Sequence, residues 1–268
     1  MIRKSIVATQ AATFCVELPN SRNHGMPTPT GTGFFISPEG WFVTAAHVIT
    51  ENNRPDGPVR KDLNQACLMK EIRSVMGGLL GMCQAVSFGY ILPSFDFAML
   101  KVDFPANSSK EWLKGKTEFP YLRVSKRQLE EGEPVYAFGY PLPDSWAISA
   151  TGITIGSNVL RPRTTSAIVA STIYESGMVV TDADPKVYVL DKALNFGNSG
   201  GPIISSETGQ AHALCSRFQP VAVPQNIKDS KGNPVFVQVP SLYGVVSSLG
   251  NKPIIELLEK LNVPLSEN

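Results

Sequence analysis

The sequence predicts an all-β fold that ends in one helix. Two short apolar runs, at residues 33–37 and 41–44, flank the turn-forming residues 38–40, which is typical of two strands joined by a turn. Short runs of this kind recur along the chain with frequent turns between them. Near the end, the 3.6-residue periodicity of apolar side chains predicts a helix at residues 252–262.

Other elements can be predicted in chain order. Residues 5–18 alternate enough to be the first strand, and residues 5–13 are too polar for the core of a signal peptide. Residues 50–64 are rich in polar and turn-forming side chains and are predicted as a surface insertion. A short helix is predicted at residues 108–113. Residues 219–234, rich in Pro, Lys and Asp, are predicted as a loop.

The most informative stretch is the hexapeptide Gly-Asn-Ser-Gly-Gly-Pro at residues 197–202. The glycines around Ser199 let the chain turn sharply and let a substrate approach the main chain. The backbone N–H groups of Gly197 and Ser199 can then point at one spot beside the hydroxyl. An acyl-transfer enzyme needs a nucleophile next to such an oxyanion site, although glycine and serine stretches also form ordinary loops.

His47 and Asp96 are the predicted partners of Ser199. His47 follows the second of the two strands, and Asp96 stands at the mouth of an apolar strand within residues 94–100. A histidine in this role takes the hydroxyl proton as a general base, and the aspartate orients the imidazole. A lone histidine at a strand end is more often a packed core residue, but the context of Ser199 and Asp96 favours catalysis.

The chain contains rivals for the base and the acid. His24 lies in a polar, turn-like stretch and is interpreted as solvated, whereas His212 is interpreted as structural or as flanking the pocket. Three aspartates compete with Asp96, and two of them lie at the far end of its strand or in a predicted turn. The rival acids are Asp103, Asp184 and Asp191.

Composition excludes several classes of function. A length of 268 residues is typical of one or two domains. The chain carries 24 basic and 23 acidic side chains, and it has no basic cluster that would indicate nucleic-acid binding. No run approaches the ~18 apolar residues of a membrane span. The four cysteines have no metal-binding spacing and are interpreted as reduced thiols. Together these observations predict a protein of the cytoplasm, in a bacterial cell, with no membrane and no nucleic-acid partner.

The order His47, Asp96, Ser199, with these local contexts, resembles that of the chymotrypsin-like (trypsin-fold) serine proteases. Three further motifs resemble the HtrA-type bacterial branch. Residues 31–36 (GTGFFI) look like its G-S-G-F-I-I, residues 132–141 (GEPVYAFGYP) like its G-x-x-V-x-A-I-G-N-P, and residues 191–199 (DKALNFGNS) like its T-D-A-A-I-N-P-G-N-S. The resemblance covers roughly residues 31–216, most of the chain.

The resemblance implies two six-stranded antiparallel β-barrels in a single peptidase domain, residues 1–268. The first barrel is expected at about residues 1–104, the connection at 105–120 and the second barrel at 121–246. The active site then lies in the cleft between the barrels. It is expected to hold the catalytic residues His47, Asp96 and Ser199 and the oxyanion hole formed by Gly197 and Ser199.

The resemblance also implies where the specificity pocket lies, between the segment before Ser199 and the strand after it. The expected lining residues are Ala193, Leu194, Ala213, Leu214 and Ser216. Ala193 stands where trypsin-type enzymes carry the acid that captures Lys or Arg, so cleavage after small or medium apolar residues is expected. Arg217 could accept an acidic substrate residue, but an exposed arginine on the rim is the simpler interpretation.

Two departures from the relatives bear on regulation. Asn198 replaces the aspartate that receives a new N-terminal amine in the animal digestive enzymes, so activation by N-terminal cleavage is not expected. The chain ends soon after the predicted second barrel, so no PDZ domain is expected to follow. Regulation would then come from loops, an oligomer or a protein partner.

The sequence therefore predicts a serine endopeptidase that forms an acyl-enzyme, needs no cofactor or metal, and acts on peptides or proteins. Two alternatives stay open at this point. One is a non-catalytic peptide-binding protein on a protease fold, and the other is an esterase on the same fold.

Overall fold

The computed structural model describes residues 2–19, 27–73, 79–103, 117–141, 144–150, 153–159, 161–174, 181, 184–228, 232 and 234–267. Strands dominate these residues, and they separate into a sheet from the first half of the chain and a barrel from the second half. The all-β fold class predicted from the sequence is confirmed.

The first sheet contains seven strands in the order β5-β4-β1-β2-β3-β7-β6, and its neighbouring strands are antiparallel. Helix α1 (Ile2–Ala12) precedes it, helix α2 (Ala46–Ile49) follows β3, and single 3-10 turns lie at Glu51–Asn53, Leu63–Gln65 and Pro93–Phe95. The strands are β1 (Thr13–Pro19), β2 (Pro27–Phe35), β3 (Trp41–Ala45), β4 (Cys67–Arg73), β5 (Leu79–Ala85), β6 (Ser87–Leu92) and β7 (Phe97–Lys101).

The barrel from the second half of the chain is called the second barrel below. It closes through six antiparallel strands in the order β14-β9-β12-β13-β16-β15, because β14 also pairs with β15. Short β8 and β17 extend this sheet beyond β15, and β10 with β11 forms a separate hairpin. The strands are β8 (Val124–Ser125), β9 (Pro134–Gly139), β10 (Asp144–Ala150), β11 (Ile153–Val159), β12 (Arg163–Tyr174), β13 (Lys186–Leu190), β14 (Pro202–Ser205), β15 (Ala211–Lys228), β16 (Pro234–Ser248) and β17 (Leu265–Ser266).

Helix α3 (Lys252–Lys260) confirms the predicted C-terminal helix. Pro253 lies in its first turn, where the missing N–H costs no hydrogen bond. Its apolar face buries Ile254 and Leu258. Within the described residues, the structure has no helix with both the length and the apolar character that a membrane crossing requires.

One hydrophobic cluster joins the first sheet to the second barrel. From the first sheet it takes aromatic side chains such as Phe14, Phe35 and Phe42, and from the second barrel it takes Tyr136 and Leu214. Phe35 packs edge-on against both Phe14 and Phe42, with ring centroids 5.5 and 5.1 Å apart. A second, separate cluster fills the interior of the second barrel. The core is therefore shared between the two halves of the chain.

The prediction of a first strand at residues 5–18 is wrong for residues 5–12, which belong to helix α1, and is confirmed for residues 13–18, which belong to β1. Contacts that the local pattern does not reveal hold this helix. The hydroxyls of Ser5 and Thr9 lie 2.6 and 3.1 Å from the Tyr136 hydroxyl on β9. The Lys70 ammonium on β4 donates to the carbonyls of Gln10 and Ala11. Carbonyls in the last turn of a helix have no partner within the helix, so these bonds satisfy them.

The prediction of a loop at residues 219–234 is also wrong for residues 219–228 and 234, which belong to β15 and β16, whereas residues 229–231 and 233 lie outside the described residues. The strands β15 and β16 pair far past the barrel, and the register still matches Pro224 with Phe236. Pro220 and Pro224 argue locally against a strand, but both pair with β16, the next strand along the chain, at Pro240 and Phe236. The predicted helix at residues 108–113 lies outside the described residues.

Candidate active site

Strand pairing brings His47 and Asp96 together. His47 lies in helix α2, directly after β3, and Asp96 directly precedes β7. β3 and β7 are neighbours, and Ala45 pairs with Phe97. The Ala46 N–H donates to the Asp96 carbonyl at 3.1 Å. Asp96 adopts a left-handed backbone with a φ of 46°, which aspartate tolerates better than most residues and which turns the chain into β7.

The Asp96 carboxylate is buried and receives several donors. The backbone N–H of His47 donates to Oδ1 at 3.0 Å, and the His47 ring Nδ1 lies 2.8 Å from Oδ2. The Ser216 hydroxyl donates to Oδ2 at 2.6 Å. Because an ionised carboxylate only accepts hydrogen bonds, Nδ1 carries the ring proton in this pair. The other ring nitrogen, Nε2, then has a lone pair that can accept a proton.

The loop before β14 carries Ser199 and its neighbouring glycines. Gly197 and Gly200 have φ angles of 92° and 82°, which a residue with a Cβ rarely adopts. The loop is held by hydrogen bonds from the Asn198 N–H to Asn195 O at 3.1 Å and from the Gly200 N–H to Cys215 O at 2.6 Å. These bonds fix the turn in which Ser199 sits.

Two backbone donors of this loop stay unused. Within the described part of the chain, the N–H groups of Gly197 and Ser199 have no hydrogen-bond partner, although both neighbouring amides, of Asn198 and Gly200, are bonded. These are the two donors that the sequence predicted for an oxyanion hole. The Ser199 hydroxyl likewise has no partner among the described residues, so it makes no hydrogen bond to His47 in this structure. Catalytic hydrogen bonds are often long without substrate.

A cavity of about 370 Å³ brings these groups together. His47, Asp96 and Ser199 all line it, as do Gly197 and, from the predicted specificity pocket, Leu194 and Ser216. The three remaining predicted pocket residues, Ala193, Ala213 and Leu214, do not line it. Ala213 faces the interior of the second barrel, and Leu214 belongs to the shared core. Strand β15 instead lines the cavity with Cys215, Ser216 and Arg217, where its register with β16 shifts.

Sequence reasoning missed some of the residues that line the cavity. Asn53 and Pro55 come from the predicted surface insertion, and Pro29 and Thr30 come from β2. The insertion begins three residues after His47, and this closeness was a signal that it borders the site. Cys215 also lines the cavity. Burial raises the pKa of its thiol well above the ordinary value, so it stays protonated and is no nucleophile.

The rival residues lie elsewhere. His212 is buried on β15, its Nδ1 lies 3.0 Å from Arg127 O, and burial lowers its pKa. Asp191 accepts the Ile168 N–H beside the β12–β13 pairing, and Asp184 accepts the Thr181 N–H in a local turn. Neither aspartate lines the cavity. Asp103 does not line it either, and His24 lies outside the described residues. No group of His, Cys, Asp and Glu among the described residues could hold a metal ion.

The model of the trypsin-like peptidase domain matches residues 31–214, more than half of the chain. The chain belongs to the trypsin-like peptidase family. It is 26% identical over 185 residues to serine protease HTRA1A of Danio rerio, an alignment that covers 67% of this chain and 28% of that protein. It is 25% identical over 188 residues to serine protease HTRA4 of Mus musculus, covering 68% of this chain and 29% of that protein.

Solved structures agree on the fold. The active form of the Rv3671c protease from M. tuberculosis matches with a TM-score of 0.57 and 18% identity, over 98% of this chain and 85% of that one. Its inactive form matches with a TM-score of 0.55 and 20% identity, over 96% of this chain and 92% of that one. The family predicted from the sequence, a trypsin-fold serine protease of the HtrA type, is thereby confirmed. The chain spans less than a third of the length of the HtrA relatives it matches.

Proposed function

We propose that this peptidase-family chain is a serine endopeptidase in which Ser199 is the nucleophile and His47 is the general base. Asp96 orients the His47 ring and stabilises its protonated form. One observation carries the proposal. The His47–Asp96 pair, the Ser199 hydroxyl and two unused backbone N–H groups border the same cavity. A base, a nucleophile and paired oxyanion donors around one space are the parts that acyl transfer requires.

Each group has a defined part in the proposed reaction. The Ser199 Oγ attacks the carbonyl carbon of the scissile peptide bond, and its proton passes to His47 Nε2. The oxygen of the tetrahedral intermediate, now negative, accepts hydrogen bonds from the Gly197 and Ser199 N–H groups. The C–N bond then breaks, and the proton moves from Nε2 to the leaving amine.

The second half of the reaction uses the same groups. A water molecule gives a proton to His47 Nε2 and attacks the acyl carbon, and the ester bond to Ser199 breaks as its Oγ takes that proton back. Asp96 accepts hydrogen bonds from the His47 ring, the His47 backbone and Ser216, and it stabilises the imidazolium that forms in each half-reaction.

We further propose that the cavity accepts small or medium apolar residues before the scissile bond. Leu194, Phe196 and Cys215 give it an apolar lining. Asp96 is the only acid among the described residues that line it, and that carboxylate is already bonded to His47 and Ser216. A substrate Lys or Arg would lose water without gaining a carboxylate partner, which costs several kcal/mol.

A fluorophosphonate probe tests the nucleophile directly. The wild-type protein should be labelled at Ser199, and the Ser199→Ala variant should not be labelled. Labelling of neither protein would favour the alternative, a peptide-binding protein without catalysis. Hydrolysis of small esters without any hydrolysis of peptides would favour the esterase.

A peptide library that varies only the residue before the scissile bond tests the specificity. We expect cleavage to be fastest after small or medium aliphatic residues. Fastest cleavage after Lys or Arg would contradict the proposed apolar pocket, because an acid not seen in the cavity, such as Asp184 or Asp191, would then have to reach the substrate.

A further inference from the structure

We propose that Thr32 is a positioning residue for the oxyanion hole, acting from the first sheet on the loop of the second barrel that carries Ser199. The proposal rests on the proposed function, because it assigns Thr32 a role in that same acyl transfer. Thr32 lies on β2, is fully buried, and does not line the cavity. It therefore acts through the loop and touches no substrate.

Thr32 holds the loop on both sides of the Ser199 N–H, one of the two unused donors. Its hydroxyl donates to the Gly197 carbonyl at 2.6 Å, and its backbone N–H donates to the Ser199 carbonyl at 2.7 Å. The same hydroxyl accepts the Tyr140 N–H at 2.9 Å. Because Tyr140 directly follows β9, one side chain links β2, the end of β9 and the catalytic loop.

The peptide groups of the loop explain why these bonds matter. The peptide between Gly197 and Asn198 is fixed at both ends, by Thr32 at its oxygen and by the Asn195 carbonyl at its N–H. The peptide between Ser199 and Gly200 is likewise fixed, by the Thr32 N–H and by the Cys215 carbonyl.

The peptide between Asn198 and Ser199 lies between these two and is bonded only at its oxygen, which accepts the Gly201 N–H at 2.8 Å. Its own N–H, the Ser199 donor, is thus oriented without being consumed. Donors that are oriented before the substrate arrives need no reorganisation during the reaction, which is how they lower the barrier.

The packing around Thr32 leaves it little freedom. A Cβ added at Gly139 would lie 3.1 Å from Thr32 Oγ1, and one at Gly201 would lie 3.2 Å from its Cγ2. The Thr44 hydroxyl donates to the Thr32 carbonyl at 2.8 Å and holds its backbone. These two glycines and Gly200, which lies against the Thr32 carbonyl, let the two halves of the chain approach closely at this point.

The experiment compares Thr32→Val with Thr32→Ser and Thr13→Val. Valine keeps the shape of threonine but removes the bond to Gly197 O and leaves the Tyr140 N–H unpaired. Serine restores the hydroxyl. Thr13 is a matched control, because it is also fully buried and also donates its hydroxyl to a backbone carbonyl, that of Thr9, away from the loop.

For Thr32→Val we expect kcat for a peptide substrate to fall about 10- to 100-fold, somewhat less than the loss of a whole oxyanion donor, with KM within about twofold of wild type. Affinity for a peptide boronic acid, which forms a tetrahedral adduct with the serine, should fall in parallel. Thr32→Ser should recover most of kcat, and Thr13→Val should keep wild-type kcat.

Three outcomes would overturn the proposal: wild-type kcat in Thr32→Val, a loss confined to KM, or an equal loss of kcat in Thr13→Val. If Thr32→Val does not fold, Thr32→Ala removes the same hydroxyl without filling space and is judged by the same criteria. Wild-type labelling by a fluorophosphonate separates the two proposals. If the wild-type protein is not labelled, both the proposed function and the role of Thr32 fail. If the wild-type protein is labelled and active, and Thr32→Val has the same kcat, only the role of Thr32 is refuted.

Discussion

The two halves of the molecule prepare their catalytic groups to different degrees. The first sheet presents His47 and Asp96 as a finished pair, joined through both the ring and the backbone of the histidine. The second barrel presents Ser199 with a hydroxyl that has no partner among the described residues and with two unused N–H groups beside it. The acid–base pair is thus made within one sheet and receives one further donor, Ser216, from the second barrel, whereas the loop of the nucleophile and the oxyanion donors is held by Thr32 from the other half of the chain.

The difference follows from how each group is placed in the chain. His47 and Asp96 adjoin β3 and β7, which pair directly, so the register of two neighbouring strands sets their separation. Ser199 lies in a glycine-rich loop whose own bonds fix some peptide groups, and Thr32 on β2 fixes others. Strand register sets the separation of the pair, and Ser216 adds one contact from the second barrel. The glycine loop is positioned by several contacts, some of which cross between the two halves.

Removal of the nucleophile should have the largest effect. Ser199→Ala leaves the His47–Asp96 pair untouched, and we expect kcat/KM for peptides to fall by about 10⁶. The melting temperature should stay close to that of wild type, because a half-exposed hydroxyl is lost and no core cavity opens. Peptidase activity near that of wild type in this variant would show that the nucleophile is another residue.

Damage to the finished pair should have the next largest effect. Asp96→Asn replaces an acceptor with a group that can donate, which favours the wrong ring tautomer of His47. We expect a loss of about 10⁴ in kcat with little change in structure. A circular dichroism spectrum equal to that of wild type would show that the loss is chemical, whereas a loss smaller than tenfold would remove Asp96 from the orienting role.

The charge state of the base should govern the pH profile. His47 must be neutral to accept the Ser199 proton, so protonation of the ring removes the base. We therefore expect kcat/KM to fall as the pH is lowered and to level off at higher pH. A rate that does not change between pH 5 and pH 8 would exclude His47 as the base.

The support behind Asp96 can be tested with two serines that border the same segment. Ser216→Ala removes a donor to the carboxylate, and a hydrogen bond to a charged group contributes about 1.5–3 kcal/mol. We expect roughly a tenfold loss of kcat. Ser247→Ala is the matched control, because its buried hydroxyl donates to the neutral Phe95 carbonyl at 2.6 Å. Equal losses of kcat in the two variants would show that the charge of the acceptor is irrelevant.

The smallest expected effect concerns the histidine of the second barrel. His212 has no carboxylate partner, and its Nε2 is buried without a hydrogen-bond partner among the described residues. Burial lowers its pKa in the folded protein, so below about pH 6.5 the unfolded chain binds a proton that the folded protein does not. This contribution to stability is complete above that pH and is lost as the pH falls through the lowered pKa.

We expect His212→Gln to reduce the acid sensitivity of unfolding between pH 6.5 and 5, by less than about 1.4 kcal/mol per pH unit. The measurement is urea unfolding of both proteins across that range. Because other groups titrate in both proteins, the difference between the two curves is the informative quantity. If the two curves stay parallel, His212 is not protonated on unfolding.

The sequence predicted the features that short segments encode. The strands around His47, the apolar strand after Asp96 and the glycines around Ser199 are each encoded within a few residues of the functional side chain, and the structure brings the three residues to one cavity. Helix α1 was predicted wrongly because contacts with the distant Tyr136 and Lys70 hold it. The paired ends of β15 and β16 were predicted wrongly because their proline and polar residues are typical of loops.

The role of Ser216 was missed for the same reason. Its place in the sequence suggested a pocket wall, but its hydroxyl reaches a carboxylate 120 residues away in sequence. Thr32 was likewise read only as part of a family motif, although its bonds span 165 residues to Gly197. Contacts of this length depend on the packed fold, and no local pattern reveals them.

The hydrophobic cluster shared by the two halves has a consequence for how the chain comes apart. Phe14 and Phe35 of the first sheet, Tyr136 and Leu214 of the second barrel, and Leu258 of α3 belong to one packed group. If either half unfolded, the apolar side chains of the other half that pack against it would become exposed to water. The chain should therefore lose both halves in one cooperative transition, in which calorimetric and van't Hoff enthalpies agree. Protease activity and tertiary structure would then disappear at the same denaturant concentration.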